Sequence, residues 1–361
     1  MRWIALLLLG CSVAMGQTKP STGPAKVTFR DDGITLVNGK PFFPIGIWVY
    51  GLDTNVMADL QEHRFNMVVG NGLKPADVPL LEKHGMMCVP NGTDEWIAAV
   101  KDSPSLLGWY LEDEPEEHNV KPEDLRKKYD ALKAKVGTDH PIGVTHNQTI
   151  GPKVYKGSSD FTFTDVYPVT AKRDWPLNAV GSYTANTREI NGPSWPTFTV
   201  IQTFGGADSD GGLWAQPLPH EVRFMAFNAL VHRANGIAYF SYWPRAATTW
   251  ASVTDLNKDI ERLVPWLLAN GEERKVTSSD GAVEVRAKRL EGNAGAWMII
   301  ATNSSPKGVR TKLKVDGMAD TKLSMPFDRG RAVDTKSGEW SERFAAHDVK
   351  VYLAGPEPEW P

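Results

Sequence analysis

Cysteine is almost absent. The 361-residue chain has two, Cys11 and Cys88. Cys11 lies in a leader expected to be removed or lipidated, so the mature chain keeps one thiol and forms no internal disulfide. Cys88 sits in the apolar run Met86-Met87-Cys88-Val89 and is expected in the core. Zinc-type Cys/His spacing is missing, as are a glycine-rich phosphate loop and a dinucleotide fingerprint, so no metal and no organic cofactor is expected. An excess of one charge is missing too: 40 Lys and Arg stand against 43 Asp and Glu, for a net charge of −3. No basic stripe marks a nucleic acid partner. The apolar run at 3–9 is too short to cross a bilayer.

What is present is an ordinary soluble composition, 41% apolar and 23% charged, at a length that suits one barrel plus a small second domain. Thirteen tryptophans stand out; sugar faces stack well on indole, although core filling accounts for most of them. The charge on Arg2 followed by the apolar run at 3–9 reads as a secretory signal over 1–16. Two processing routes stay open. Leu8-Leu9-Gly10-Cys11 is similar to a bacterial lipobox, and Ala14-Met15-Gly16 is a small-x-small cleavage site. Residues 17–25 read as a flexible tether. The protein is expected outside the cytoplasm: periplasmic, secreted, or lipid-anchored at the bacterial cell surface. Its only expected membrane contact is an anchor at Cys11.

After a small hairpin turned at Asn38-Gly39, apolar strands and helix-length segments alternate. Strands are predicted at 44–49, 65–69, 86–89, 106–111, 141–144, 160–164, 197–201 and 236–240, with helices at 55–63, 75–84, 94–101, 122–136, 179–190, 220–234 and 255–270. The strands are continuous apolar runs, which suits parallel strands buried on both faces. A (β/α)8 TIM barrel over 26–274 is the economical arrangement. A doubly wound sheet is the rival, but no glycine-rich turn follows strand one. From 275 to 355, short strands between Gly, Asn and Asp turns predict a small antiparallel β-sandwich.

A barrel gathers the C-terminal strand ends at one mouth, the edge where barrel enzymes do their chemistry. Trp48, Asn71, Asn91, Glu112, Asp113, Glu114, His146, Asn147, Asp165, Tyr167, Gln202 and Trp243 fall there. Acids, amides and ring faces around one pit suit carbohydrate chemistry, which needs a proton donor and a second group at an oxocarbenium-like centre. Trp48 and Trp243 are candidate sugar platforms; Trp214 and Trp250 are candidate rim platforms. Glu112 shares strand parity with Glu114, so both are expected to point inward, unless Glu112 simply pairs with an Arg.

Four features are similar to the barrel-fold glycoside hydrolase superfamily that includes the β-galactosidase and cellulase barrels. They are the lead-in Leu36-Val37-Asn38-Gly39-Lys40-Pro41-Phe42-Phe43-Pro44-Ile45-Gly46, the triplet Asp113-Glu114-Pro115, the segment 221–240, and the appended sandwich. The resemblance implies a glycosidase acting on an oligo- or polysaccharide, with Glu114 as general acid/base. Substrate contacts at that mouth are expected from Trp48, Asn71, Glu112, His146, Asn147, Tyr167, Gln202 and Trp243. The superfamily's Asn before the acid is replaced by Asp113. Where it places a nucleophilic Glu at the end of strand seven, this chain has Gln202. Three readings stay open: Asp165 is the second carboxylate, acting through water with inversion; Asp113 and Glu114 form the adjacent pair of a substrate-assisted hexosaminidase, with Tyr167 assisting; or the protein is a non-catalytic glycan-binding lipoprotein.

Overall fold

The computed structural model describes residues 23–70, 72–207, 213–292 and 295–359. The signal segment, Cys11, most of the tether and Asn71 therefore lie outside the described residues. Ala25, at the end of the expected tether, already belongs to the fold. It is buried, and its N–H donates to the Ser103 carbonyl.

Strands one to eight of the barrel are Ile45–Trp48, Met67–Val69, Met87–Val89, Trp109–Glu112, Ile142–His146, Phe161–Asp165, Thr197–Gln202 and Gly236–Phe240. They are hydrogen-bonded in the order three, two, one, eight, seven, six, five, four. Strands three and four close the ring through two parallel bridges, Cys88 to Leu106 and Asn91 to Tyr110. Across this seam the Leu107 N–H donates to the Cys88 carbonyl at 2.9 Å and the Tyr110 N–H to the Pro90 carbonyl at 2.8 Å. The expected (β/α)8 barrel is the fold.

Both strand faces are buried, as continuous apolar runs require. Inward residues, among them Met67, Met87, Phe161, Phe163, Phe198 and Val200, form one cluster that Ala25 and Val27 close from below. Outward residues such as Ile45, Val68, Cys88, Ile142 and Ile237 pack against the helices. The interior is full: a Cβ on Gly143 would lie 2.3 Å from the Phe161 ring, so strand five gives up a side chain to make room for strand six.

The helix Pro122–Val136 has the expected bounds, with Pro at its start, Glu123 and Asp124 in its first turn and Lys133 and Lys135 in its last. These placements complement the helix dipole. The last barrel helix, Ala247–Leu268, begins earlier than expected. Its first turns are rich in Thr and Ser, poor helix formers, and burial of Thr249, Trp250 and Val253 sustains them. Trp250 is thus no rim platform: it stacks on His63 with ring centroids 4.4 Å apart.

The sandwich starts at Gly271, because Gly271–Arg274 pairs with Val283–Leu290. Its two antiparallel sheets have six and three strands. Strand Trp297–Asn303 is buried throughout: Met298 and Ile300 face the barrel helices, while Trp297, Ile299 and Ala301 fill the sandwich. Glu284 ties the two parts, accepting from Asn178 at 2.8 Å and Asn228 at 2.5 Å, with His232 at 3.2 Å.

Candidate active site

Strand four carries the acids, and a bulge between Tyr110 and Glu112 interrupts its pairing with strand five. One extra residue in a strand reverses the alternation beyond it. Tyr110 therefore points into the barrel, donating to Asp113 Oδ1 at 2.6 Å and meeting Thr145 Oγ1 at 2.5 Å. Glu112 turns the other way and pairs with Lys128 of the Pro122–Val136 helix. The expectation that Glu112 points inward beside Glu114 is corrected; a cation holds it in the helix layer. Past the strand, Glu114 adopts a left-handed backbone, φ +42°, and its N–H donates to the Thr145 carbonyl at 3.1 Å.

Three carboxyls interact electrostatically at the mouth. Asp165 is in register with the inward Phe161 and Phe163 and is 6% exposed. Its Oδ2 accepts from the Tyr167 hydroxyl at 2.6 Å, while its Oδ1 is buried without a hydrogen-bond partner. Burial, then the charges of Glu114 and Asp113, push this carboxyl well above its ordinary value. Burial, then Asp113, Glu116 and Glu117, raise Glu114 to about 7. Asp113 keeps contact with solvent, yet the protein packed around it, with Glu112 and Glu116, raises its carboxyl as well.

Aromatic rings wall the site. Trp48 packs edge-on against Phe163 at 5.0 Å and Phe240 at 6.2 Å. Tyr167 stacks on Phe240 at 5.6 Å and meets Phe204 at 4.9 Å and Trp214 at 6.2 Å. Phe204, Phe240, Tyr110 and Thr145 were not singled out in the sequence. Parity held a signal for two of them: Phe240 follows the inward Ala238, and Phe204 follows Gln202, each by two residues. Trp243 is half-buried and carries the Arg245 guanidinium 5.4 Å over its ring.

Two further expectations are corrected. His146 belongs to the outward face of strand five, where its Nδ1 lies 2.9 Å from Glu116 Oε2 and its ring stacks on Tyr155. The other Glu116 oxygen accepts from the Asn147 and Gln148 N–H groups. His146 and Glu116 together fix the exit of strand five rather than lining the mouth. Gln202 is fully buried, and its amide is spent on backbone. Its Oε1 accepts from the Val169 N–H at 3.0 Å, and its Nε2 donates toward the carbonyls of Val169, Phe204 and Ala215. It brackets the loops after strands six and seven. A buried carboxylate there would face three carbonyl oxygens, which accounts for an amide at this position. Asn147, two residues beyond the inward Thr145, keeps a buried Oδ1 without a partner. Asn91 lines a cavity of about 500 Å³ that lies between Tyr110, Glu112 and Asp113 on one side and Lys128, Leu132 and Lys135 of the Pro122–Val136 helix on the other; neither Glu114 nor Asp165 lines it.

No family model matches the chain, and no curated protein matches it. Solved structures share its fold. A glycoside hydrolase family 5 protein from Bacteroides vulgatus superposes with a TM-score of 0.58 at 12% identity, covering 91% of this chain and 93% of that one. A GH30 endoxylanase from Clostridium papyrosolvens gives 0.54 at 10% identity, over 93% and 100% of the two chains. An Anoxybacillus α-amylase gives 0.56 at 10% identity, over 84% and 90%. At these identities the likeness is one of fold.

Proposed function

We propose that the chain is an exported glycoside hydrolase that cleaves O-glycosidic bonds of an oligo- or polysaccharide at this mouth. Glu114 donates the proton to the leaving oxygen, and Asp165 is the second carboxylate. The observation that carries the reading is that both carboxyls are held above their ordinary values at one mouth, with the charge of Glu114 among the causes at Asp165. Like charges in a partly dry site cannot both ionise readily, so the pair keeps a proton near neutral pH. Glu114, raised to about 7, suits a general acid, whose ideal value lies near the working pH. Asp165 has one oxygen held by Tyr167 and the other without a partner. In the form in which Glu114 holds the shared proton and Asp165 is ionised, that free oxygen is suited to take a proton from water attacking the anomeric carbon. Trp48 and Tyr167 offer ring faces to the sugar, and the Asn147 amide offers an acceptor to a hydroxyl. The shared fold of solved glycoside hydrolases agrees with the reading without carrying it, since one fold hosts many chemistries.

The test is sugar release from a panel of aryl glycosides and oligosaccharides by the wild type, Glu114→Gln and Asp165→Asn. Turnover that collapses in both variants supports the assignment. Equal turnover in wild type and Glu114→Gln would falsify it. A strict need for a 2-acetamido group, with Asp113→Asn inactive and Asp165→Asn active, moves the second role to Asp113. Glycan binding without turnover on the whole panel favours a binding protein.

A further inference from the structure

The floor of the barrel, opposite the mouth, gathers a second set of charges. The N-terminal ends of strands one, seven and eight meet the start of the sandwich around a cavity of about 150 Å³. Asp32, Arg188 and Arg233 of the barrel line it with Glu273, Arg286 and Lys288 of the sandwich. Asp31, which also lines it, is exposed. The other acids are already matched: Glu273 takes Arg286 at 2.6 Å, and Asp32 takes Arg30 at 2.7 Å. Lys288 is matched too, its Nζ donating to the carbonyls of Trp266, Leu267 and Ala269 at the end of the last barrel helix.

Two guanidinium groups keep spare donors. Arg188 is 5% exposed. Its Nη1 donates to the Trp195 carbonyl and Asn235 Oδ1, and its Nη2 to the carbonyls of Asp32 and Pro193. Its Nε is buried with no partner. Arg233 is half-buried, and its side chain has no hydrogen bond or ion pair among the described residues. Burial, with Arg233 and Arg286 close by, lowers Arg188 to about 10. Burial and Arg286 lower Lys288 to about 7. Four cations, Arg188, Arg233, Arg286 and Lys288, outnumber the three carboxylates Asp31, Asp32 and Glu273 around this cavity, and a guanidinium with spare N–H groups is shaped to bind an oxyanion.

We propose that this cavity binds one small tetrahedral oxyanion, sulfate or inorganic phosphate, through Arg233 and the Arg188 Nε, and so ties the barrel floor to the sandwich. The volume, about 150 Å³, admits a free ion. Nothing in the reaction at the mouth is needed for this binding.

The experiment is thermal unfolding of the full chain during titration with sodium sulfate or sodium phosphate, at ionic strength held constant with chloride. A ligand of the folded state raises Tm along a saturating curve. That curve is expected for the wild type, with apparent affinity about tenfold weaker in Arg233→Gln, which keeps the aliphatic stem and removes the charge. Identical curves for the two proteins, or a rise that never saturates, overturn the site. Equilibrium dialysis of labelled sulfate against the wild type gives a readout that needs no variant. One ion per chain, displaced by phosphate and not by chloride, supports the proposal; no bound ion sinks it. Glucose 6-phosphate separates a free ion from a phosphomonoester: stabilisation equal to that by inorganic phosphate overturns a site for the free ion.

Discussion

At the mouth, Asp113, Glu114 and Asp165 hold their protons more tightly than free carboxyls do. Where barrel meets sandwich, Asp32, Glu273 and Glu284 hold theirs less tightly. Burial penalises the charged form in both places. At the mouth the neighbouring charges are mostly further carboxylates, so the effects add. At the boundary burial is outweighed: Arg30 bonds Asp32, Arg286 faces Glu273, and His232 with Asn178 and Asn228 binds Glu284. The two regions use the same residue types, and the placement of partners separates acids poised for proton transfer from acids held ionised, of which Glu284 joins the two domains.

The same Glu→Gln exchange should therefore act in opposite directions. The largest effect is expected at Glu114. Glu114→Gln should cut turnover by about 10²–10⁴-fold and raise stability near pH 8 by about 1–2 kcal/mol after allowance for solvent screening. Activity assays and chemical denaturation measure the two effects. Glu284→Gln should leave turnover alone and lower stability by about 2 kcal/mol, because Asn178 and Asn228 donate to different oxygens and one of them then faces amide hydrogens. A stabilised Glu284→Gln would erase the contrast.

The pH dependence sharpens it. Glu114 is raised from 4.5 to about 7, so the folded state binds the extra proton across that window. Its stabilising contribution is complete below 4.5 and lost as pH rises through about 7. Glu273 and Glu284 are lowered from 4.5, so their contribution is present above 4.5 and fades as pH falls through their depressed values. Tm should rise between neutral pH and pH 5, then fall in stronger acid. The first limb should flatten in Glu114→Gln and the second in Glu284→Gln. If both variants track the wild type throughout, the charge contrast has no energetic weight.

The smallest effect is expected at Glu112. Its exposed pair with Lys128 predicts that Glu112→Gln costs under about 1 kcal/mol and leaves turnover intact. A large activity loss there would return Glu112 to the mouth.

The barrel was legible because its signal is local and repeated. Each strand is an apolar run, each helix has its own start and stop residues, and 122–136 and 236–240 keep the bounds that pattern implied. The site was legible only in part. Asp113, Glu114, Asp165, Tyr167 and Trp48 come together. Glu112, His146 and Gln202 do not join them, for three different reasons. A bulge turned Glu112 outward, strand five presents His146 to Glu116, and loop backbone consumed the Gln202 amide. None of these leaves a mark in residue spacing. Bulges, strand rotation and loop closure depend on neighbours far away in the chain. The aromatic wall shows the same limit: Phe204 and Phe240 read as strand-end apolar residues until the ring closes around Tyr167.

By itself the sequence determined the strand and helix pattern, the appended sandwich, and an acid-rich end to strand four, because hydrophobic period and turn chemistry act over a few residues. Only the tertiary structure decided which acids face one another, which are neutralised by Lys128 or Arg286, and where spare guanidinium donors collect. Charge–charge and desolvation energies depend on distance and burial in three dimensions, and neither quantity is written in the order of residues along a chain.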